Sequence, residues 1–187
     1  MPLIGRHNVA NAALALGMVR ALGVSLEDCV KPLASVAPVP GRLEPIVEGQ
    51  PFAVYVDYAH TDDALRQVLS TLREITPGQL RVVFGCGGNR DAGKRQKMGA
   101  VAAALADVVM ITTDNPRRED PAAIADQIVE GCASVGDANW QIELDRERAF
   151  DEVLRASAPG DTVLLAGKGH ETYQEINDLV QPFDDRA

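Results

Sequence analysis

An α/β fold built on a mostly parallel sheet is what this sequence predicts. Short apolar runs recur at residues 52–57, 80–84, 107–113 and 161–166, each followed by a polar loop, and the first three then by a helical stretch. Such alternation implies βαβ crossovers, with right-handed connections and helices on both faces of the sheet. The apolar material is also of the right kind. Of the 187 residues 46% are apolar but only 4% aromatic, so the core is aliphatic, as strands buried on both sides require.

The first element stands outside this pattern. Residues 8–22 are rich in alanine and leucine and read as a helix stopped near Gly23. Ser25, three residues before Asp28, opens a second short helix in a loose capping pattern, and Pro38, Pro40 and Gly41 end it. Two helices without a sheet cannot bury their apolar faces, so residues 1–39 read as the end of another domain and residues 40–187 as the α/β domain. In the latter, Phe52-Ala-Val-Tyr-Val-Asp57 is the first strand. Thr61 caps a helix whose first turn carries Asp62 and Asp63, both favourable at the positive helix end. Residues 80–84 form the next strand, followed by a glycine-rich loop and a helix over 94–106. Residues 107–113 form a third strand. Pro121 opens a helix at a position where its missing N–H costs nothing. Residues 142–144 are a short strand, 146–157 a helix and 161–166 a last buried strand.

In a parallel sheet the loops after successive strands line one edge, where ligands bind. Those loops carry Asp57 and His60, Arg90, Asn115 and Arg117, and Glu171. Asp114-Asn115-Pro116-Arg117 is the most distinctive of them. Arg117 offers a planar charged fork for a carboxylate, Asn115 can donate and accept at once, and Pro116 stiffens the turn. Each residue also has a plainer reading. Asn-Pro is an ordinary turn signal, Asp57 a strand-end cap, His60 a turn residue, Asn8 and Asn11 helix caps, and Lys168 and His170 exposed side chains.

Gly88-x-x-x-x-Gly93-Lys94 has the spacing of a phosphate-binding loop, but Arg95 stands where that motif needs Ser or Thr for Mg²⁺. Arg90, Lys94 and Arg95 still make this stretch cationic at a helix start, against the helix dipole. Lys94 and Arg95 are therefore candidate contacts for a phosphate or carboxylate.

The bulk charge excludes other classes. A net charge of −9 leaves no basic stripe for nucleic acid. No apolar run reaches the ~18–20 residues of a membrane span. Three cysteines, Cys29, Cys86 and Cys132, form no CxxC pair and are odd in number, which fits reduced thiols in the cytoplasm.

Taken together, six motifs in order resemble the C-terminal part of the Mur ligase family, and within it the UDP-N-acetylmuramoyl-tripeptide synthetases. They are Gly5-Arg-His-Asn8-Val-Ala-Asn11, Pro40-Gly-Arg42-Leu-Glu44, Val56-Asp57-Tyr-Ala-His60-Thr, Gly87-Gly-Asn-Arg90-Asp-Ala-Gly-Lys94-Arg95, Asp114-Asn-Pro-Arg117 and Gly167-Lys-Gly-His-Glu171. Two positions depart from the family pattern: Asp62, where proline is expected, and His7, where an apolar aromatic is common. The resemblance implies a Rossmann-like C-terminal domain preceded by helices from the end of a central ATPase domain. It implies an ATP-dependent ligase that phosphorylates a UDP-muramoyl dipeptide carboxylate and joins it to an incoming amino acid, meso-diaminopimelate being favoured by Arg117. By the same resemblance Arg90, Asn115, Pro116, Arg117, Gly167 and Glu171 bind that amino acid, while Asn8, Asn11, Arg42, Asp57 and His60 touch the nucleotide.

The Gly-x-x-Gly-Lys-Thr loop and the Mg²⁺ ligands of the family belong to its central domain, and the sequence holds no such loop. The resemblance implies a fragment without a metal site, truncated before a final helix and inactive as a ligase alone. The alternatives are a lysine-adding sister ligase and a non-catalytic α/β module binding a nucleotide or small anion. A dinucleotide-dependent oxidoreductase is disfavoured, because no Gly-x-Gly-x-x-Gly follows the first strand.

Overall fold

The computed structural model describes residues 3–136 and 139–187, without the side chains of residues 6 and 7. It divides into two compact units, Met1–Val39 and Pro40–Ala187.

The first unit holds α1 (Arg6–Ala21), α2 (Leu26–Val30) and a 3₁₀ turn at Lys31–Ala34. Ser25 caps α2, its hydroxyl accepting from the Asp28 N–H at 3.2 Å. Asn8 donates its side-chain amide to the Ile4 carbonyl at 2.7 Å, and Asn11 is exposed on α1. Among the described residues of this unit only Cys29 is buried.

The second unit carries, in chain order, β1 (Glu44–Ile46), β2 (Ala53–Asp57), α3 (Asp62–Arg73), β3 (Leu80–Phe84), α4 (Gly93–Leu105), β4 (Val108–Ile111), α5 (Pro121–Ala133), β5 (Trp140–Ile142), α6 (Arg146–Arg155), β6 (Thr162–Ala166), β7 (Tyr173–Ile176) and β8 (Leu179–Pro182). One sheet runs β1-β2-β6-β3-β4-β5, parallel throughout except for the antiparallel edge strand β1. Period-2 alternation divides the strands cleanly. Leu80, Val82, Phe84, Val109, Ile111, Leu164 and Ala166 face a core shared with α3, α4 and α5. Val54, Val56, Val83, Met110, Val163 and Leu165 face Ala149 and Val153 of α6 on the other side. Thr61 caps α3 as its sequence suggested.

Three elements escaped the sequence pattern: β1 and the antiparallel hairpin β7–β8. Both β7 and β8 are exposed or half-buried throughout, so no apolar run betrays them. The short strand expected at 142–144 sits two residues earlier, at Trp140–Ile142, where it pairs with β4.

The hairpin positions the loop after β4. The Arg117 N–H donates to the Glu175 carbonyl at 3.0 Å, and the Asn177 N–H donates to the Arg117 carbonyl at 2.7 Å. Gln174 donates its amide to the Asp114 carbonyl at 2.8 Å. These bonds hold Arg117 at φ 53°, a left-handed conformation unfavourable for a side-chain-bearing residue. Behind the loop, the buried Arg146 forks onto Asp185 at 2.9 and 2.6 Å and donates to the Thr113 and Ala166 carbonyls, tying the ends of β4 and β6 together. Burial works against its charge, but Asp185 outweighs it and the pKa of Arg146 stands above its ordinary value.

Candidate functional site

At the carboxyl edge of the sheet lies a cavity of about 460 Å³. The loop after β2 supplies Tyr58, His60 and Thr61. The loop after β3 supplies Gly87, Arg90, Asp91 and, from the start of α4, Lys94. Asp114, Asn115 and Arg117 follow β4, and Gly167, Glu171 and Tyr173 follow β6. Arg90 and Arg117 therefore open to one space although 27 residues separate them in sequence. The lining holds cations, carboxylates and an amide, which suits a small guest carrying both charges.

The members differ in how firmly they are held. Arg90 is exposed and forms no ion pair with a described residue. Arg117 is one-fifth exposed; its Nη1 donates to the Gly88 carbonyl at 2.9 Å and its Nε lies 3.0 Å from Glu175. A Cβ on Gly87 would stand 3.1 Å from Arg117 Nη1, so the guanidinium crosses close over the Gly87 backbone. Asn115 is buried, and its Nδ2 donates to Glu171 Oε2 at 2.9 Å. Lys94 donates from Nζ to the His60 carbonyl at 2.7 Å. Pro116 is not part of the lining; its carbonyl accepts from the Glu119 N–H at 3.0 Å and shapes the turn.

Arg95 corrects the reading of the glycine-rich stretch as uniformly cationic. It is 1% exposed and faces away from the cavity, 2.9 Å from Glu119 and 2.9 Å from the Gln127 side-chain oxygen. Its hydrogen bond holds Glu119 below the usual carboxylate range, and Glu119 in turn accepts from the Asn89 N–H. Arg95 thus fastens the loop to α5 rather than meeting an anion. The remaining candidates around β2 are bonded locally. Asp57 accepts from the Leu43 N–H at 2.7 Å and the Ala59 N–H at 2.8 Å. His60 contacts the Tyr58 carbonyl through Nδ1 at 2.9 Å, and Arg42 stacks over the Tyr58 ring at 5.0 Å.

The thiols are out of play. Cys86, Cys132 and Cys29 are all free and buried, and burial pushes Cys86 up to about 12 and Cys132 to about 11, far from a thiolate at neutral pH. Among the described residues no group of three or more His, Cys, Asp or Glu side chains could hold a metal ion, and no helix is long and apolar enough to cross a membrane.

One residue that sequence reasoning left as simply exposed lies buried behind the wall of this cavity. Lys168 is fully buried, with its Nζ 3.2 Å from Asn115 Oδ1, 3.6 Å from Asp114 Oδ1 and 3.7 Å from Glu171 Oε2. Its flanks permit this placement. Gly167 and Gly169 both adopt positive φ, at 109° and 54°, and turn the intervening side chain inward.

This sheet, with cavity-lining loops at the ends of its parallel strands and the Asp114–Arg117 turn among them, defines a class: the glutamate ligase domain of Mur ligases. The profile of that domain (Mur ligase, glutamate ligase domain) matches residues 41–169, and the chain belongs to the Mur ligase family. Within it, the chain is 48% identical to the UDP-N-acetylmuramoyl-L-alanyl-D-glutamate–2,6-diaminopimelate ligase of Streptomyces coelicolor, an alignment covering 99% of this chain and 37% of the relative. The enzyme of that name from Solibacter usitatus is 47% identical, with 100% and 37% covered. A solved structure of a ligase of the same name superposes with a TM-score of 0.77 at 42% identity, covering 98% of this chain and 37% of that one. The chain thus spans a little over a third of the length of these relatives.

Proposed function

We propose that this chain is the amino-acid-accepting part of an ATP-dependent acid–amino-acid ligase that adds meso-diaminopimelate to UDP-N-acetylmuramoyl-L-alanyl-D-glutamate in peptidoglycan synthesis, in the cytoplasm. The observation that carries this reading is the meeting of Arg90 and Arg117 across one cavity with Asn115 and Glu171. Meso-diaminopimelate bears a carboxylate and an ammonium at each end. A guanidinium suits a carboxylate, and a carboxylate such as Glu171 suits an ammonium. Lysine lacks the distal carboxylate, so in a lysine-adding enzyme Arg117 would have no substrate carboxylate to hold. The relatives' shared name supports the same choice.

In the overall reaction ATP phosphorylates the terminal carboxylate of the dipeptide. The amine of the amino acid then attacks the acyl phosphate, giving the amide, ADP and inorganic phosphate. What this chain contributes is orientation. Arg90 and Arg117 fix carboxylates, Glu171 and the backbone at Gly167 fix the ammonium end, and Pro116 shapes the turn that presents Arg117. The amine is thereby aimed, and holding reactants in line supplies much of such a rate enhancement. Arg42, Asp57, His60, Asn8 and Asn11 are assigned to the nucleotide side, and Lys94 to a phosphate or carboxylate. The phosphate-binding loop and the Mg²⁺ ligands are assigned to a further domain.

The test is a competition between meso-diaminopimelate and lysine in the ligase containing this chain. Exclusive use of meso-diaminopimelate is expected, and equal use of both amino acids overturns the assignment. Arg117→Ala should raise the KM for meso-diaminopimelate about 10- to 100-fold, the value of one charge-assisted contact, and leave the KM for ATP unchanged.

A further inference from the structure

The buried Lys168 does not itself line the cavity, yet it touches three residues of its wall. A fully buried ammonium needs partners, and here they are Asn115 Oδ1, Asp114 and Glu171, with the Tyr173 ring 5.6 Å away. Asn115 is the informative member. Its Oδ1 receives two donors, Lys168 Nζ at 3.2 Å and the Glu175 N–H at 2.9 Å. Neither donor can accept, so the oxygen of the amide must face them. Its Nδ2 is then forced towards Glu171, where it donates at 2.9 Å and occupies Oε2. Among the described residues no donor reaches Oε1 of Glu171, and that oxygen stands open to a guest. Asp114 fits the same scheme: its Oδ1 is buried without a hydrogen bond and lies 3.6 Å from Lys168, as a counter-charge rather than a ligand contact.

We propose that Lys168 is a positioning residue for the amino-acid site, acting through Asn115: it locks the Asn115 amide in one orientation and thereby presents one free oxygen of Glu171 to the ammonium of the incoming amino acid. The ligand half of this statement rests on the functional reading above; the lock on Asn115 does not.

The experiment uses the 187-residue chain, ¹⁵N-labelled. In the wild-type chain the Asn115 side-chain amide should exchange with solvent at least tenfold more slowly than that of the exposed Asn89. Lys168→Met, similar in volume but without a charge, leaves the Glu175 N–H as the remaining described donor to Oδ1 and should reduce that protection at least threefold, while the backbone amide spectrum outside the loop stays unchanged. Titration with meso-diaminopimelate should show binding at least tenfold weaker in Lys168→Met than in wild type. In an Asn115→Ala background the same substitution should change binding less than twofold, because its route of action is already gone. Asn115 exchange as fast as that of Asn89 in the wild type overturns the proposal without recourse to any variant, and so does unaltered Asn115 protection in folded Lys168→Met. If the wild-type chain binds neither meso-diaminopimelate nor lysine, the functional reading fails alone and the exchange measurement still decides the role of Lys168.

Discussion

Asp161 binds three donors at once: the Gln79 N–H at 2.8 Å, the Ala158 N–H at 3.0 Å and Arg81 Nε at 3.2 Å. It joins the turns that precede β3 and β6. Burial pushes its pKa up, but the Ala158 and Gln79 amides and Arg81 pull harder, and it stands below the ordinary carboxylate value. A carboxylate held low in the folded chain contributes stability above its unfolded pKa of about 3.9 and loses it as pH falls through the lower folded value. Asp161→Asn should therefore cost about 3 kcal/mol at pH 7, the worth of one or two charge-assisted hydrogen bonds. The gap from wild type should close as pH falls below about 4. Urea unfolding at pH 7 and pH 3 measures both, and a gap that stayed constant would show the charge to be irrelevant. Arg95 makes the complementary point at residue scale. It shares one helix face with Met98, Gly99 and Ala102, the i, i+3, i+4, i+7 stripe that faces the core. Arg90 precedes the helix and escapes that face. Arg90, Lys94 and Arg95, three cations within six residues, thus have different fates, which the pattern of α4 contained but the count of charges did not.

Between elements, two glycine-bearing loops approach each other closely. The loop after β6 packs on the loop before β1, where a Cβ on Gly169 would lie 2.7 Å from Tyr58 Cβ and 2.9 Å from the Gly41 carbonyl. Gly49 has positive φ as well, 83°, but faces open space. Gly49→Ala should cost only the left-handed penalty of about 1 kcal/mol, whereas Gly169→Ala adds a clash with atoms that cannot retreat and should cost about 3 kcal/mol. Equal midpoints in denaturant for the two variants would mean that the loops are not tightly joined. This scale also separates what the sequence made legible from what it did not. The strands β2, β3, β4 and β6 are buried on both faces and announce themselves as apolar runs. The strand ends then place Arg90, Asn115, Arg117 and Glu171 on one rim by topology alone. The hairpin β7–β8 is solvated and carries no such run; its one local signal is the turn Asn177-Asp178, both at positive φ as a tight hairpin turn demands. Missing the hairpin meant missing Glu175, which holds Arg117, and Gln174, which holds the Asp114 carbonyl. Lys168 was hidden for another reason: a lysine between glycines in a loop ordinarily points to water, and only the packed carboxylates around it reverse that expectation.

Every residue of the two apolar cores lies between Leu43 and Ala166, inside the unit Pro40–Ala187. Among its described residues the unit Met1–Val39 has one that is buried, while Val9, Leu14, Met18 and Leu22 of its helical segment are all more than half exposed. The two units should therefore behave differently when separated. Residues 40–187 alone should unfold cooperatively, with a melting temperature within about 5 °C of the whole chain, because removing residues 1–39 deletes no core side chain and a 5 °C shift corresponds to about 1–2 kcal/mol in a domain of this size. A peptide of residues 1–39 should show little helix in water, since a helix the length of α1 is marginal without an apolar partner for its face. Circular dichroism of the two pieces decides it. A stably helical 1–39 peptide would mean that this segment is self-sufficient, and a non-cooperative 40–187 would mean that the sheet unit draws stability from outside its own core.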